Sequence, residues 1–379
     1  AAPPLALNAG GVMEGVFEAV SAMTTTGAVL GVPEDTPRSV ILWRCYLAWL
    51  GGLGSLVLAA TVFAALDRRG VGLRRTSLLT VERSDLFTNF GRGFRRLGSI
   101  YALVTAVGAV LMMTGGAAPF DALCLALSGV ATAGLAPQSG ALLDWLPAPA
   151  VLVLALLCLA GAWNFAVMYE WLSRYRVQRG TGELRAMLAV AAACGGAAFV
   201  LAGPEAAWIG ALDGLFAITT AGYAAGAGLV LPPALLLFMA MVGGSTISTT
   251  GGIKMPRVLL LLRRAGGELS LLSHPSAAVR TRFSGRPVAD GALAGVWVYA
   301  LAFPVALGAG AALVALGGAE LDTAWRAAAA SLANAGPLAA ADFQALSAPS
   351  LAACTVLMVA GRLEVMAAAA AVYVVFARD

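Results

Sequence analysis

The sequence predicts an all-α integral membrane fold with four quasi-equivalent repeats of membrane helix, pore helix and membrane helix around one central pore, the first repeat incomplete. Composition sets the medium. Of 379 residues, 60% are hydrophobic and 12% charged, and the mean hydropathy is +0.85, more apolar surface than a soluble domain of this length can hide. Repetition sets the plan. Four short apolar stretches each run into a glycine at Thr24-Thr25-Thr26-Gly27, Ala131-Thr132-Ala133-Gly134, Thr219-Thr220-Ala221-Gly222 and Ala333-Asn334-Ala335-Gly336, roughly 90 to 115 residues apart. Charge sets the direction, because the arginines gather in alternate connections and leave the glycine loops nearly free of bases.

The first repeat, 1–66, holds a short segment at 12–27 and a span at 39–66. The second, 67–183, begins with a connection carrying Arg68, Arg69, Arg74, Arg75, Arg83, Arg92, Arg95 and Arg96. A span at 97–118, a short segment at 119–131 and a span at 148–172 follow. The third, 184–264, opens after Arg174, Arg176 and Arg179, with spans at 184–203 and 231–262 around a short segment at 206–219. The fourth, 265–379, starts with Arg280, Arg282 and Arg286 and runs through 291–316, 321–333 and 349–377. Each span reaches the ~20 apolar residues a bilayer needs, and each short segment falls below it, as a re-entrant helix does. Acidic residues near the starts of the short segments (Glu14, Glu18, Asp121 after Pro119, Asp213, Asp322) suit the positive end of a helix dipole.

The glycine loops carry Glu34, Asp35, Asp144 and Glu205, so the positive-inside rule places them outside and the arginine-rich loops in the cytoplasm. The same rule accounts for the arginine clusters without nucleic acid as a partner. The cysteines Cys45, Cys124, Cys158, Cys194 and Cys354 stand in apolar runs without paired or metal-ligand spacing. Catalysis is excluded as a function class: the one histidine, His274, sits in a basic loop beside Pro275, and the membrane hydroxyls lack a base.

A dehydrated cation needs a ring of oxygens in place of its water shell, and irregular backbone survives at membrane depth only where it lines such a cavity. The four loops supply candidates for that ring: Thr25, Thr26 and Gly27; Thr132, Ala133 and Gly134; Thr220, Ala221 and Gly222; Asn334, Ala335 and Gly336. Glycine turns carbonyls inward, and the Thr or Asn before it adds side-chain oxygens. Inside the span at 231–262, Gly243, Gly244, Ser245, Thr246, Ser248, Thr249, Thr250, Gly251 and Gly252 are poor helix formers, so the helix is expected to break into an intramembrane loop. A close-packed interface of small residues is the alternative. Lys254, the one lysine, reads as a marker of the cytosolic boundary. A small pair recurs after each glycine loop at Gly51-Gly52, Gly161-Ala162, Gly243-Gly244 and Gly361-Arg362. Arg362 within an apolar helix must face a cavity or a partner, and Glu364, two residues on, points elsewhere. Asn164 fits an interhelical bond or the ion path.

The run Phe17-Glu18-Ala19-Val20-Ser21-Ala22-Met23-Thr24-Thr25-Thr26-Gly27, Trp43-Arg44, Trp49-Leu50-Gly51-Gly52-Leu53-Gly54, the segment from Gly243 to Lys254, and Asn334-Ala335-Gly336-Pro337 resemble the TrkH/KtrB family of potassium transporters over nearly the whole chain. The resemblance implies potassium as the transported ion, no cofactor in this chain, and one pore per subunit of a homodimer in the cytoplasmic membrane. It also implies a cytosolic ring of RCK-type regulatory subunits that carry the nucleotide. It makes the loop from Gly243 to Lys254 the gate, with Arg362 beside it bonding its carbonyls. Related plant transporters with Ser at the first filter glycine move sodium, so glycine at all four positions implies potassium. A sodium-permeable member and a secondary transporter with discontinuous helices are the alternatives, the latter expected to show a pair of inverted repeats. Family members place a full span ahead of the first pore helix, so that span is expected to be missing from a chain starting at Ala1.

Overall fold

The structure, a computed structural model, describes residues 11–67, 86–174, 182–228, 230–274, 282–283, 286–287 and 290–363. Arg68, Arg69, Arg74, Arg75, Arg83, Arg176, Arg179, Arg280, Glu364 and the rest of the last span lie outside them. The first unit consists of α1 (Val12–Met23) and α2 (Arg38–Asp67). The second is α3 (Leu86–Thr114), α4 (Pro119–Val130), the single turn α5 (Leu142–Trp145), α6 (Ala148–Ala162) and α7 (Phe165–Arg174). The third is α8 (Glu183–Ala202), α9 (Pro204–Ile218), α10 (Pro233–Val242) and α11 (Met255–Ser273). The fourth is α12 (Asp290–Leu316), α13 (Leu321–Ala333), α14 (Ala340–Gln344) and α15 (Ala348–Arg362). The only sheet among the described residues is a hairpin pairing Arg282–Phe283 with Arg286–Pro287.

Among the described residues, four helical stretches, Arg38–Ala59, Leu97–Thr114, Glu183–Ala202 and Leu293–Leu316, are long and apolar enough to cross a membrane. Their outer faces carry bare aliphatic side chains, such as Val200, Leu201, Val305 and Leu316, which lipid solvates and water does not. The short helices stand inside. Pro119 and Pro204 occupy the first turns of α4 and α9, where a missing N–H costs nothing. Glu14, Asp121, Glu205 and Asp322 supply first-turn acids to α1, α4, α9 and α13. Asp213 does not open its helix: α9 begins at Pro204, and Asp213 is buried in its later half. Glu18 likewise lies beyond the first turn of α1, buried. α13 buries Ala324, Ala327, Ala328, Ala329 and Ala330, and packs between α12 and α15 with little side chain in the way.

Two spans are broken among the described residues. The expected break after Val242 is present, and residues 243–254 form no helix. The span read at 148–172 also divides, between Ala162 and Phe165, which the sequence reading missed. Asn164 caps the second half, its Oδ1 accepting from the amide of Ala166 at 3.0 Å, which corrects both readings made of it. The small pairs after three of the four glycine loops are contact points. A Cβ at Gly51, Gly161 or Gly361 would overlap the carbonyl oxygen of Met23, Val130 or Leu332, at or near the end of the adjoining short helix.

Candidate functional site

The four short helices end at the four glycine loops, so each brings the partial negative charge of its C-terminus to the same place. Beyond each helix the backbone turns left-handed at one polar residue: Thr25 (φ 55°), Thr132 (52°), Thr220 (59°) and Asn334 (53°). Two residues later Gly27 (74°), Gly134 (73°) and Gly222 (69°) are left-handed again. Alternating handedness sends successive carbonyls to one side of the chain, which an ion-coordinating ring requires. The fourth unit departs, since Gly336 opens a 3₁₀ turn, Gly336–Ala339.

The ring closes in chain order. A Cβ on Gly27 would overlap Ala133 O, and one on Gly134 would overlap Ala221 O. Gly222 lies against Leu338, where a Cβ would sit 3.1 Å from its Cγ. The amide of Gly336 donates to Thr26 O at 2.7 Å and joins the last unit to the first. A cavity of about 590 Å³ opens beside this ring, lined among others by Gly27, Gly134, Gly222, Pro337, Arg44 and Tyr223. Ala133, Ala221 and Ala335 are fully buried and contribute backbone alone.

Residues 243–254 lie against all four units. Ser245 and Thr249 donate their amides to Ala162 O and Gly161 O at 2.9 and 3.0 Å, and Phe165 donates to Ile247 O at 3.0 Å, so the loop fills the break between α6 and α7. Thr25 Oγ1 donates to Thr249 O at 3.4 Å, Thr132 Oγ1 lies 3.2 Å from Thr249 Oγ1, and the amide of Gly251 donates to Thr220 Oγ1 at 3.2 Å. In the fourth unit, Gly251 sits so close to Ala333 that a Cβ there would overlap its carbonyl. The three threonine hydroxyls, read from sequence as ring oxygens, therefore bind the loop. Asn334 is held by Nδ2, which donates to Thr26 Oγ1 and Met358 O at 3.0 Å each, while its Oδ1 is buried without a partner among the described residues.

Two cationic side chains cap consecutive carbonyls of the loop. Arg362 Nη1 donates to Thr249 O at 2.5 Å, and its Nε donates to Ser55 Oγ on α2 at 2.5 Å. Lys254 Nζ donates to Thr250 O at 2.5 Å and to Ser248 Oγ and Thr250 Oγ1 at 3.3 Å each. Lys254 is 7% exposed and left-handed (φ 81°), so its chain folds back into the loop. Its reading as a boundary marker is thereby corrected: the nearby carbonyl and hydroxyls replace the water that a snorkelling ammonium seeks. Ser248 and Thr250 join through their hydroxyls at 2.8 Å, and Thr246 and Ile253 are the half-buried members of the loop.

The strands leaving the ring are held separately. Glu18 Oε1 accepts from the Leu30 amide at 3.2 Å, and its Oε2 takes Arg44 Nη2 at 2.6 Å. Asp213 Oδ1 accepts from the Ala225 amide at 2.8 Å. Ser128 Oγ accepts from the Leu135 amide at 2.7 Å and meets Tyr223 Oη at 2.8 Å. Arg326 Nη2 donates to Asp342 Oδ1 at 2.9 Å. Of these holding residues only Glu18 and Asp213 had a role from sequence, as charges for a helix dipole, although polar residues inside apolar short helices are the signal that marks them all.

The TrkH family model, described as a cation transport protein, matches residues 7–189 and 207–377. The chain belongs to the TrkH family. Its relatives include the Trk system potassium uptake protein TrkH of Halomonas elongata, 30% identical over 369 residues that make up 93% of this chain and 77% of the relative. The protein of the same name from Escherichia coli K12 is 27% identical over 377 residues, with the same shares. The crystal structure of the potassium transporter TrkH from Vibrio parahaemolyticus superposes with a TM-score of 0.82 at 26% identity, over 94% of this chain and 77% of that one. The all-α, multi-pass membrane architecture expected from sequence is thus that of a solved TrkH structure. A TrkH-family chain is a transporter and not an enzyme, and among its described residues no group of His, Cys, Asp and Glu could hold a metal ion.

Proposed function

We propose that this chain is the pore-forming subunit for potassium uptake across the cytoplasmic membrane. The observation that carries the reading is the closed ring of left-handed residues, joined from last unit to first by Gly336 and Thr26. The four repeats 1–66, 67–183, 184–264 and 265–379 each contribute one side. Thr25, Thr26 and Gly27, with Thr132 to Gly134, Thr220 to Gly222 and Asn334 to Gly336, form the selectivity filter through their backbone. The loop from Gly243 to Lys254, capped by Arg362, is the gate: its contacts with every filter segment support a plug that must move before an ion can pass. The filter faces outward and the arginine-rich loops face the cytoplasm. The working assembly is a homodimer under an RCK-type nucleotide-binding ring, as the family resemblance implies. An inside-negative potential drives uptake by about 2.3 kcal/mol per charge per 100 mV.

The test is potassium and sodium flux into proteoliposomes, for the protein and for Gly222→Ser. Among the three left-handed filter glycines, Gly222 alone has a side-chain contact, Leu338, rather than a carbonyl in the way of a Cβ, so this variant disturbs the fold least. Potassium-selective flux that loses selectivity on substitution is the expected result. Equal permeability in the unaltered protein would move it to the sodium-permeable branch, and no cation flux under any gradient or nucleotide would end the pore reading.

A further inference from the structure

Two of the four strands leaving the filter are tied down by a carboxylate at the same register. Glu18 precedes Gly27 by the interval at which Asp213 precedes Gly222, and each accepts a hydrogen bond from the amide twelve residues further on, Leu30 and Ala225. The matching positions of the second and fourth units hold Leu125 and Ala327, so the device occurs only in the two units that face each other across the ring. Both carboxylates are 1% exposed. A carboxylate oxygen withdrawn from water has no solvent competing for the amide, at 3.2 Å for Leu30 and 2.8 Å for Ala225, and the bond fixes a backbone that the filter glycine before it leaves free to swing. The two sites differ in their second oxygen. Glu18 Oε2 is committed to Arg44, at 2.6 and 3.1 Å, whereas Asp213 Oδ2 is buried with no hydrogen-bond partner among the described residues.

We propose that Glu18 and Asp213 are positioning residues for ion discrimination, holding the exits of the first and third filter segments at the spacing that favours potassium over sodium. The proposal rests on the potassium-filter reading. It assigns the effect to one hydrogen bond per site and not to negative charge near the pore. Asp213 is the cleaner site to test, because altering Glu18 also leaves Arg44 buried and unpaired.

The experiment measures the potassium-to-sodium permeability ratio and its ionic-strength dependence in proteoliposomes for the unaltered protein, Asp213→Asn and Asp213→Leu, with Asp213→Ala in reserve. Asn keeps an oxygen for the Ala225 amide and Leu keeps the volume without it. Asp213→Asn is expected to hold the ratio within about twofold, and Asp213→Leu to lower it about tenfold with unchanged salt dependence. A normal ratio in Asp213→Leu overturns the proposal. So does an equal loss in Asp213→Asn, which would assign the effect to charge. If neither Leu nor Ala yields folded protein while Asn does, the bond serves folding alone and the positioning role is overturned. An unaltered protein that conducts without preferring potassium overturns the filter reading itself, and this inference with it.

Discussion

Glu34, on the exposed turn Pro33–Asp35, accepts hydrogen bonds from both the amide and the hydroxyl of Ser139, each at 2.7 Å. It thereby clasps the chain after the first glycine loop to the chain after the second. The backbone bond from Ser139, then its hydroxyl, hold the carboxyl below its ordinary value of 4.5. A depressed carboxyl pKa contributes stability that is fully present above the unfolded value and lost as pH falls through the folded one. The clasp therefore persists at neutral pH and releases only below about 4.5. In detergent, the unfolding midpoint of the unaltered protein should decline more steeply than that of Glu34→Gln as pH is lowered from about 6 to about 3.5. Parallel declines would show that the clasp contributes nothing. The effect is expected to be small, since the pair is exposed to solvent.

At the scale of elements, the decisive piece is the loop between α10 and α11. Its hydrogen bonds to Thr25, Thr132 and Thr220 and to the break between α6 and α7 account for its fixed shape, and Lys254 is its internal tie. Replacing Lys254 with Gln removes a charge-assisted bond of about 1.5–3 kcal/mol, and deleting Gly243 to Gly252 removes the plug. Both changes should raise basal cation flux, the deletion more, and unchanged or lower flux with protein still in the membrane would remove the gate assignment. This break was readable because glycines and β-hydroxyl residues are poor helix formers wherever they stand. The break at Asn164 was not, because nothing in Gly161-Ala162-Trp163-Asn164 forbids a helix; it is the loop of another unit, bonding to Ala162 O and Gly161 O, that takes up the backbone. Likewise the four glycine loops that form the ring could be read from their fourfold recurrence, but the left-handed turn at Thr25, Thr132 and Thr220 could not. Threonine disfavours that conformation, and only the surrounding ring imposes it. Asp213 reads from sequence as a charge for the helix dipole, because its partner, the Ala225 amide, comes within reach only when the chain beyond Gly222 folds back along the helix.

At the scale of the whole molecule, the proposed orientation rests on the positive-inside rule. With the native cysteines replaced, Asp35→Cys on the filter side should react with a membrane-impermeant maleimide added outside cells. His274→Cys, at the exposed end of α11, should react only in inverted vesicles. The opposite pattern would reverse the direction proposed for uptake. The four sides of the ring belong to one covalent chain, and each is built differently. One exit is held by a carboxylate and an arginine, one by serine and tyrosine, one by a lone aspartate, and one by an arginine reaching forward to Asp342. In a ring of identical subunits every alteration is made four times at once, so only changes tolerable in quadruplicate survive. Here a single codon alters a single quadrant, and the ring can be adjusted in quarter steps.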